Sequence, residues 1–115
     1  MKRTQQSLES LRAMSSEQLA QRVKMGDHLE LVREIDHFAY FRHKGQADAA
    51  ATELLDNGYR VSLSRKKLTW HLVAHTESSL EPTTVDEFVR SEFELINRHG
   101  GIYDGWGGPI AGRRA

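Results

Sequence analysis

Residues 34–76 read EIDHFAYFRHKGQADAAATELLDNGYRVSLSRKKLTWHLVAHT, and this stretch decides the fold. Its first part, Ile35 to Phe41, is rich in aromatic residues and predicts a strand. Small and apolar residues then recur at helical spacing, which predicts a helix with one buried face. Those positions are Ala47, Ala50, Ala51, Leu54 and Leu55. Asn57-Gly58 is a typical left-handed end for such a helix.

The second half of this stretch predicts a hairpin. Apolar residues alternate with polar ones at Tyr59, Val61 and Leu63, which is typical of a half-buried strand. We expect the turn at Arg65-Lys66-Lys67 and the returning strand from Leu68 to Thr76. One face of that strand is predicted to be apolar, with Leu68, Trp70, Leu72 and Ala74.

Downstream, the chain predicts one more helix and one more strand. Glu81-Pro82 interrupts the chain, and Thr84 to Glu87 has the spacing of a capping box that opens the helix. The inner side of the helix is predicted at Val85, Phe88, Val89, Phe93 and Ile96. Gly100-Gly101 ends it, and Ile102 to Trp106 forms a short final strand.

The order strand-helix-strand-strand-helix-strand predicts an α+β fold. Two right-handed crossovers around one hairpin give a ferredoxin-like βαββαβ sandwich. We expect a four-stranded antiparallel sheet with two helices on one face. We also expect the first and third strands to be central and parallel to each other.

Three segments are predicted along the chain. Residues 1–33 form an N-terminal helical lead-in of one or two helices, in which Ser15-Ser16 resembles an N-cap between them. Its apolar stripe is thin, which favours a flap or a partner-facing arm, with a marginally ordered helix as the equal alternative. Residues 34–110 form the ferredoxin-like domain, and residues 111–115 a disordered tail.

Length and composition restrict the class of protein. The chain has 115 residues, enough for one domain and too short for two. It has no cysteine, which excludes disulfides and thiolate chemistry and fits a cytoplasmic setting. No apolar run is long enough to span a membrane. Residues 1–6 lead into no apolar segment, so we predict no signal peptide.

The net charge of zero conceals alternating bands. It is +2 over residues 1–33, −3 over 34–58, +4 over 59–76, −4 over 77–98 and +1 over 99–115. Neutrality argues against a protein that grips phosphate backbones, because that binding is driven by excess Lys and Arg. Bands of opposite sign orient a partner more than they supply affinity.

Metal binding has little support in the sequence. His71 and His75 share a strand face but lie about 13 Å apart at roughly 3.3 Å per residue. That distance is too long for both to bind one ion directly. His37 on the neighbouring strand could pair with one of them, although its face is ambiguous. We predict no metal and no cofactor, with these histidines as ordinary surface or capping residues.

Catalytic machinery is also hard to find. The chain has no cysteine nucleophile, Gly-x-Ser-x-Gly turn, HExxH helix or phosphate-cradling loop. Asp36 and Asp104 could meet across neighbouring strands as an acid/base pair, but bonds from each carboxylate to backbone amides are the simpler interpretation. We therefore predict a protein that is not an enzyme.

An RNA-binding platform is the alternative function. A four-stranded sheet of this topology can stack bases on aromatic residues of its central strands. If Ile35, Ala39 and Phe41 face the helices, one open face presents Phe38, Tyr40, His71, Val73 and His75. The third strand lacks the basic-Gly-aromatic signature of the RNA-recognition module, so direct RNA binding is the weaker hypothesis.

The two ends of the domain resemble the RraB family, the regulators of ribonuclease E activity B. The likeness is carried by Ile35 to Phe41 with Asn57-Gly58-Tyr59-Arg60-Val61, and by the closing His99-Gly100-Gly101-Ile102-Tyr103-Asp104-Gly105-Trp106-Gly107. It covers roughly residues 34–109. Tyr-Asp-Gly-Trp after a double glycine is the more specific part.

The resemblance implies a ferredoxin-like fold and a non-enzymatic, cytoplasmic, bacterial protein. Such a protein binds ribonuclease E or a related nuclease by protein–protein contact and inhibits or modulates RNA degradation. The better-known members are longer and end in an acidic tail, whereas this chain ends with Arg113-Arg114-Ala115. That difference leaves open whether the target is the same nuclease.

The closing motif has two interpretations. Asp104-Gly105 suits a turn or bulge, and Trp106 then covers an edge of the core. In the other interpretation, Tyr103, Asp104 and Trp106 form a partner-binding patch, since an anchored Trp is a common interface hot spot. We expect Phe38, Tyr40, His71 and His75 to complete the contact surface.

Overall fold

A computed structural model describes residues 7–112, and the structural statements below concern those residues. The helices are α1 (Leu8–Lys24), α2 (Lys44–Asp56) and α3 (Pro82–Arg98). The strands are β1 (Arg33–Phe41), β2 (Arg60–Lys66), β3 (Thr69–Ser78) and β4 (Ile102–Gly107). The α+β class and the predicted succession of elements from β1 to β4 are confirmed.

The four strands form one open antiparallel sheet in the order β2-β3-β1-β4. β1 and β3 are central, as predicted, but they run antiparallel, so the expectation that they are parallel was wrong. The crossover through α2 returns β2 in the direction of β1. The hairpin then reverses the chain, which leaves β3 opposed to both neighbours.

One face of the sheet packs against the helices. In β1, Ile35, Ala39 and Phe41 are buried, and their register partners on β3 continue the same face. The alanines of α2 allow a close approach to this face, because they add little volume. Its buried residues are Ala47, Ala50, Ala51 and Leu54. Four of the five predicted buried positions of α2 are confirmed, but the expectation that Leu55 is buried was wrong, because its side chain is 57% exposed. In β1, Ile35, Ala39 and Phe41 do face the helices, which is the condition on which the predicted open face depended.

Helix α3 begins at Pro82, two residues before the predicted start at Thr84. Proline fits the first turn because its missing N–H would have no intrahelical partner there. The predicted inner residues Val85, Phe88, Val89 and Ile96 are buried, and Phe93 is half-buried. Two further buried residues of α3 are Glu92 and Leu95.

The N-terminal segment forms one continuous helix. Ser7 caps α1 by accepting a hydrogen bond from the Ser10 N–H, so the predicted N-cap at Ser15 was wrong. Ser15 lies within the helix and is buried. α1 packs against α3, where the Arg12 guanidinium donates hydrogen bonds of 2.6 and 2.8 Å to Asp86. Its Leu11 joins the common core.

The hairpin turn lies further along than predicted. Lys66 still pairs with Thr69, so the turn consists of Lys67 and Leu68. Lys67 has a φ of 55°, in the left-handed region. Leu68 is 82% exposed, and the expectation that it extends the inner face of β3 was wrong.

Residues 1–6 and 113–115 lie outside the described residues, and with them the predicted absence of a signal peptide and most of the predicted tail. The Ala111 carbonyl accepts a 2.6 Å hydrogen bond from the His28 N–H. Between residues 7 and 112, no helix combines the length and the apolar character needed to cross a bilayer.

Candidate interaction surface and the core beneath it

The structure divides the seven predicted contact residues between the two faces of the sheet. Tyr103 and Trp106 point into the core and are 1% and 8% exposed. The other five lie on the face that the helices leave uncovered, here called the open face. They are Phe38, Tyr40, His71, His75 and Asp104. The register of β1 and β3 sets Tyr40 opposite His71, so the predicted composition of this face is confirmed.

A β-bulge in β4 explains how Tyr103 and Trp106 reach the same face. In a regular strand, residues three apart point to opposite faces. The register between β4 and β1 shifts between Tyr103 and Trp106, which places both Asp104 and Gly105 opposite one residue of β1. Gly105 has a φ of +104°, a conformation that side chains disfavour.

Trp106 joins the end of the sheet to α1. Its indole Nε1 donates a 3.0 Å hydrogen bond to the buried Ser15 Oγ. The Arg22 guanidinium lies 5.3 Å from the indole ring centre, and the Phe88 ring meets it edge-on at 5.6 Å. The placement of Trp106 supports its interpretation as a core residue.

A buried ionic cluster holds the segment after β4. Asp27 has a fully enclosed side chain and accepts hydrogen bonds of 3.0 Å from Arg22 and 2.8 Å from Arg33. The same arginines donate to the carbonyls of Gly108 and Pro109. Burial by itself raises the pKa of Asp27, but the two arginines outweigh it and hold that pKa below its usual range.

His37 lies on the buried face of β1, which settles its ambiguous position. Its Nδ1 is 3.0 Å from the Tyr103 hydroxyl, and its residue surface is 1% exposed. Burial lowers the pKa of His37 to about 4, because the charged imidazole would lose its hydration; nearby Asp36 opposes the shift. His37 points away from the open face and does not join His71 or His75.

Glu92 is a second titratable group in the core. Burial raises the pKa of its carboxyl to about 7, against the effect of a hydrogen bond with Tyr59. Within residues 7–112, its Oε1 atom has no hydrogen-bond partner. Burial, together with Glu92, raises the pKa of both Tyr59 and Tyr103 above the ordinary tyrosine value.

The open face carries its own hydrogen bonds. Tyr40 donates from its hydroxyl to Asp104 Oδ2 at 3.1 Å, and its ring meets His71 edge-on at 4.4 Å. Asp36 bonds His75 on the other side of β1. The predicted candidate pair of Asp36 and Asp104 is thus divided between two different partners.

Three strands contribute to one hydrogen-bonded group on the open face. His75 Nδ1 lies 2.7 Å from Asp36 Oδ1, and His75 Nε2 lies 3.2 Å from Ser62 Oγ. Glu34 is bonded to Arg60, and its Oε2 lies 3.8 Å from His75 Nδ1. Strand pairing positions this group, because Asp36 and Arg60 are the register partners of His75 on either side.

The same region contains a set of oxygen and nitrogen ligands. Glu34, Asp36 and His75 each offer one atom, and these atoms lie within 4.8 Å of one another. The Nδ1 of His75 already contacts Asp36, and Glu34 is paired with Arg60. A cation would have to replace both contacts.

Acidic groups outnumber basic ones on the open face. Its carboxylates are Glu34, Asp36, Glu77 and Asp104, and its basic residues from the hairpin are Arg60 and Lys66. Phe38 is 37% exposed between them. The predicted charge bands therefore meet on this face, with the basic group along β2.

Sequence reasoning missed three residues of these sites. Glu92 falls at helical spacing between Phe88 and Ile96, so its phase on α3 was readable from the sequence. Ser62 alternates with apolar residues in β2. This alternation indicated the side of the sheet on which Ser62 lies, but it did not indicate the hydrogen bond to His75. Ser15 resembled a helix cap, and no local signal indicated its contact with Trp106.

The sequence profile of a family of ribonuclease regulators matches this chain. The family is RraB, regulator of ribonuclease activity B, and the match extends over residues 12–108. The chain belongs to the RraB family, which confirms the resemblance carried by the two ends of the domain. The matched range includes most of α1 and the whole closing motif. Comparison with curated proteins gave no match.

Proposed function

We propose that this protein regulates RNA degradation by binding a ribonuclease through the open face of its sheet. Ribonuclease E or a related nuclease is the target that the family resemblance implies, and binding inhibits or modulates it. Membership of a family of ribonuclease regulators is the observation that carries this proposal. On this proposal the protein acts on RNA degradation as a binding partner of the nuclease.

The choice of face rests on exposure. The helices cover one side of the sheet, whereas Phe38 is 37% exposed at the centre of the other. Interface cores favour aromatic side chains surrounded by polar groups. In the strand register, Tyr40, His71, His75 and Asp104 occupy positions near Phe38 on this face. The carboxylates of the same face favour a basic partner surface.

Tyr103 and Trp106 stabilise β4 from inside the core. Both are buried, so we assign them no direct contact with the nuclease. Their packing fixes the bulge that presents Asp104 beside Tyr40. A change in either residue would weaken binding by disturbing β4.

Calorimetry with ribonuclease E, combined with RNA-cleavage kinetics, tests this assignment. Phe38→Ser should weaken binding about tenfold, since an interface anchor contributes about 1–2 kcal/mol. The matched control is Leu55→Ser on α2, which is also an exposed apolar residue and should leave binding unchanged. Absence of binding by the unmodified protein would exclude this nuclease as the target. Loss of binding in the Leu55 variant alone would place the interface on the helical side.

Direct RNA binding is the second candidate, and the aromatic and histidine side chains of the central strands favour it. The carboxylates on the same face oppose it, because they repel phosphate. Single-stranded RNA should be titrated while the NMR signals of Phe38, Tyr40, His71 and His75 are followed. Specific shifts would support the platform, and unchanged spectra would exclude it.

The finer fold and setting form part of the same proposal. We assign the ferredoxin-like arrangement because a crossover helix follows β1 and another follows β3 in a sheet ordered β2-β3-β1-β4. We place the RraB-like domain at residues 34–110, with residues 1–33 as its lead-in. A nuclease-binding role fits the bacterial cytoplasm, and the absence of cysteine agrees with a reducing compartment.

A further inference from the structure

Ser62, His75 and Asp36 have the connectivity of a nucleophile, its base and the residue that orients the base. We infer that they form a catalytic triad on the open face, which transfers the acyl group of small carboxylic esters to Ser62 and then to water. This inference is independent of nuclease binding, because it concerns the isolated protein and a small-molecule substrate.

The acceptor chemistry of Asp36 fixes the roles in this group. An ionised carboxylate can only accept a hydrogen bond, so the 2.7 Å contact places the imidazole proton on His75 Nδ1. In the neutral imidazole, Nε2 then carries the lone pair and can accept from the Ser62 hydroxyl, which lies 3.2 Å away. A serine that donates to a histidine held in this tautomer is the arrangement that activates a hydroxyl nucleophile.

The sheet supplies the positioning. The three side chains come from β1, β2 and β3, which are paired in continuous antiparallel register around His75. Asp36 lies directly across from His75, whereas Ser62 lies diagonally, a separation that side chains can bridge on one face. Rigid strands are suited to holding such a group, because their backbones have little freedom to change its distances.

Arg60 is the basic residue of β2 that precedes Ser62 on the open face. It lies two residues before Ser62 on the same face, and its guanidinium is held by Glu34. To stabilise the negative charge that develops on the ester oxygen during attack, the guanidinium would have to leave Glu34 and turn towards Ser62. Glu34 also lies 3.8 Å from His75 Nδ1, so its carboxylate reinforces the same tautomer.

The neighbouring residues indicate the substrate class. Phe38 and Val73 form the next pair on this face, adjoining Asp36 and His75. They offer an apolar surface for a short acyl chain. The open setting admits an ester of any leaving group from solvent.

The reaction balances with the ester and water alone. Ser62 Oγ bonds to the acyl carbon while its proton passes to His75 Nε2. The bond to the leaving oxygen breaks, and that oxygen takes the proton from His75. Water then attacks the acyl group with its proton going to Nε2, and Ser62 regains a proton as the carboxylic acid leaves.

The test uses the purified full chain and 4-nitrophenyl butyrate. Release of nitrophenolate is followed by absorbance, and intact-protein and peptide mass spectrometry locate the butyryl group. We expect the acyl group on Ser62, and Ser62→Ala should remove that labelled peptide. The matched control is Ser64→Ala, two residues along the same strand, which should retain the labelling. Labelling confined to lysines, or equal turnover in the Ser62 variant, would overturn the inference.

Two further variants test the roles of the other residues. His75→Gln should lower the acylation rate about a hundredfold, the loss typical for a general base. Asp36→Asn can donate to Nδ1, so nitrogen NMR should show the proton moving to Nε2, with a parallel fall in acylation. A proton already on Nε2 in the unmodified protein, or acylation unaffected by either variant, would contradict the proposed roles. Circular dichroism verifies that each variant folds.

Discussion

Two adjacent residues of β1, Asp36 and His37, point to opposite faces of the sheet, and the histidine side chains on the two faces have different surroundings. His37 points into the core, where burial lowers its pKa to about 4 and its Nδ1 contacts the Tyr103 hydroxyl. Asp36 points to the open face and bonds His75, which also contacts Ser62. The imidazole is the same group in both places. The surroundings decide whether the imidazole packs in the core, as in His37, or bonds polar side chains on the open face, as in His75.

The comparison extends to whole networks. On the buried side, a hydrogen bond between Trp106 and Ser15 joins distant parts of the chain. On the open side, Arg60 and Glu34 form an ion pair in contact with solvent. A buried polar contact is costly to break because its partner loses hydration as well, whereas water replaces a lost partner at the surface. Substitutions on the two sides should therefore differ in magnitude.

The largest difference should come from the aromatic residues. Trp106→Ala removes a side chain that is 8% exposed and leaves the Ser15 hydroxyl without its donor. We expect a loss of about 3–5 kcal/mol in the free energy of unfolding, as for other large core truncations. Urea denaturation followed by circular dichroism measures it.

Phe38→Ala is the matched change on the open face, where much less apolar surface is buried. It should cost about 1 kcal/mol or less, in the range of most surface substitutions. Equal losses for Phe38 and Trp106 would break the distinction between the two faces.

The next largest effect should be a pH dependence of stability that comes from two buried titratable groups, Glu92 and His37. Glu92 has a pKa of about 7, above its ordinary 4.5, so the folded protein retains a proton that the unfolded chain releases. The contribution of Glu92 to the free energy of unfolding is complete below pH 4.5. It falls by about 3 kcal/mol as the pH rises towards 7. His37 has the reverse dependence, because its pKa of about 4 lies below the ordinary 6.5. Its contribution is full above 6.5 and is lost as the pH falls towards 4, again by about 3 kcal/mol.

Glu92 and His37 change the free energy of unfolding in opposite directions over nearly the same pH range. In the unmodified protein the two pH dependences should therefore largely cancel. Glu92→Gln should show a stability that rises with pH between about 4 and 6.5, which is the contribution of His37. His37→Gln should show a stability that falls between about 4.5 and 7. Urea melts across this range, compared with the unmodified protein, measure both. Parallel curves for the two variants would contradict the assignment of opposite protonation preferences.

The smallest effect should come from the ion pair of the open face. Arg60→Ala removes the partner of Glu34, and both side chains are largely in solvent. We expect a change of about 0–1 kcal/mol in the free energy of unfolding, decreasing with added salt. Thermal melts at low and high salt measure it.

Arg22→Ala is the corresponding change at a buried pair. It leaves Asp27 with one arginine in a fully enclosed position, so the loss should be about 3–5 kcal/mol. If Arg22→Ala lowered the free energy of unfolding as little as Arg60→Ala does, solvent would have to reach Asp27 in the folded protein.

Much of the fold was readable from residues 34–107, because strand and helix periods are local properties. The alanine spacing gave most of the buried face of α2, although Leu55 is exposed, and the face of His37 in β1 stayed ambiguous until the structure placed it. The predicted helix boundaries were wrong where one residue type is common in two different positions. Ser15 resembled a cap but lies in mid-helix, and Pro82 begins α3, where it had suggested a break.

The candidate sites were less predictable. The seven proposed contact residues are split between the faces because a bulge at Asp104-Gly105 changes the phase of β4. A regular period of two would have placed Tyr103 and Trp106 on opposite sides. Asp-Gly indicated that a bulge could form, but not which side chains it would redirect.

The sequence by itself determined the succession of elements, most of the inner face of α2, and the family. Those features depend on spacing over a few residues and on the closing motif. Only the tertiary structure decided that Trp106 bonds a serine 91 positions away and that Ser62, His75 and Asp36 meet across three strands. Burial and strand register between distant segments set these contacts, and neither is encoded in any local pattern.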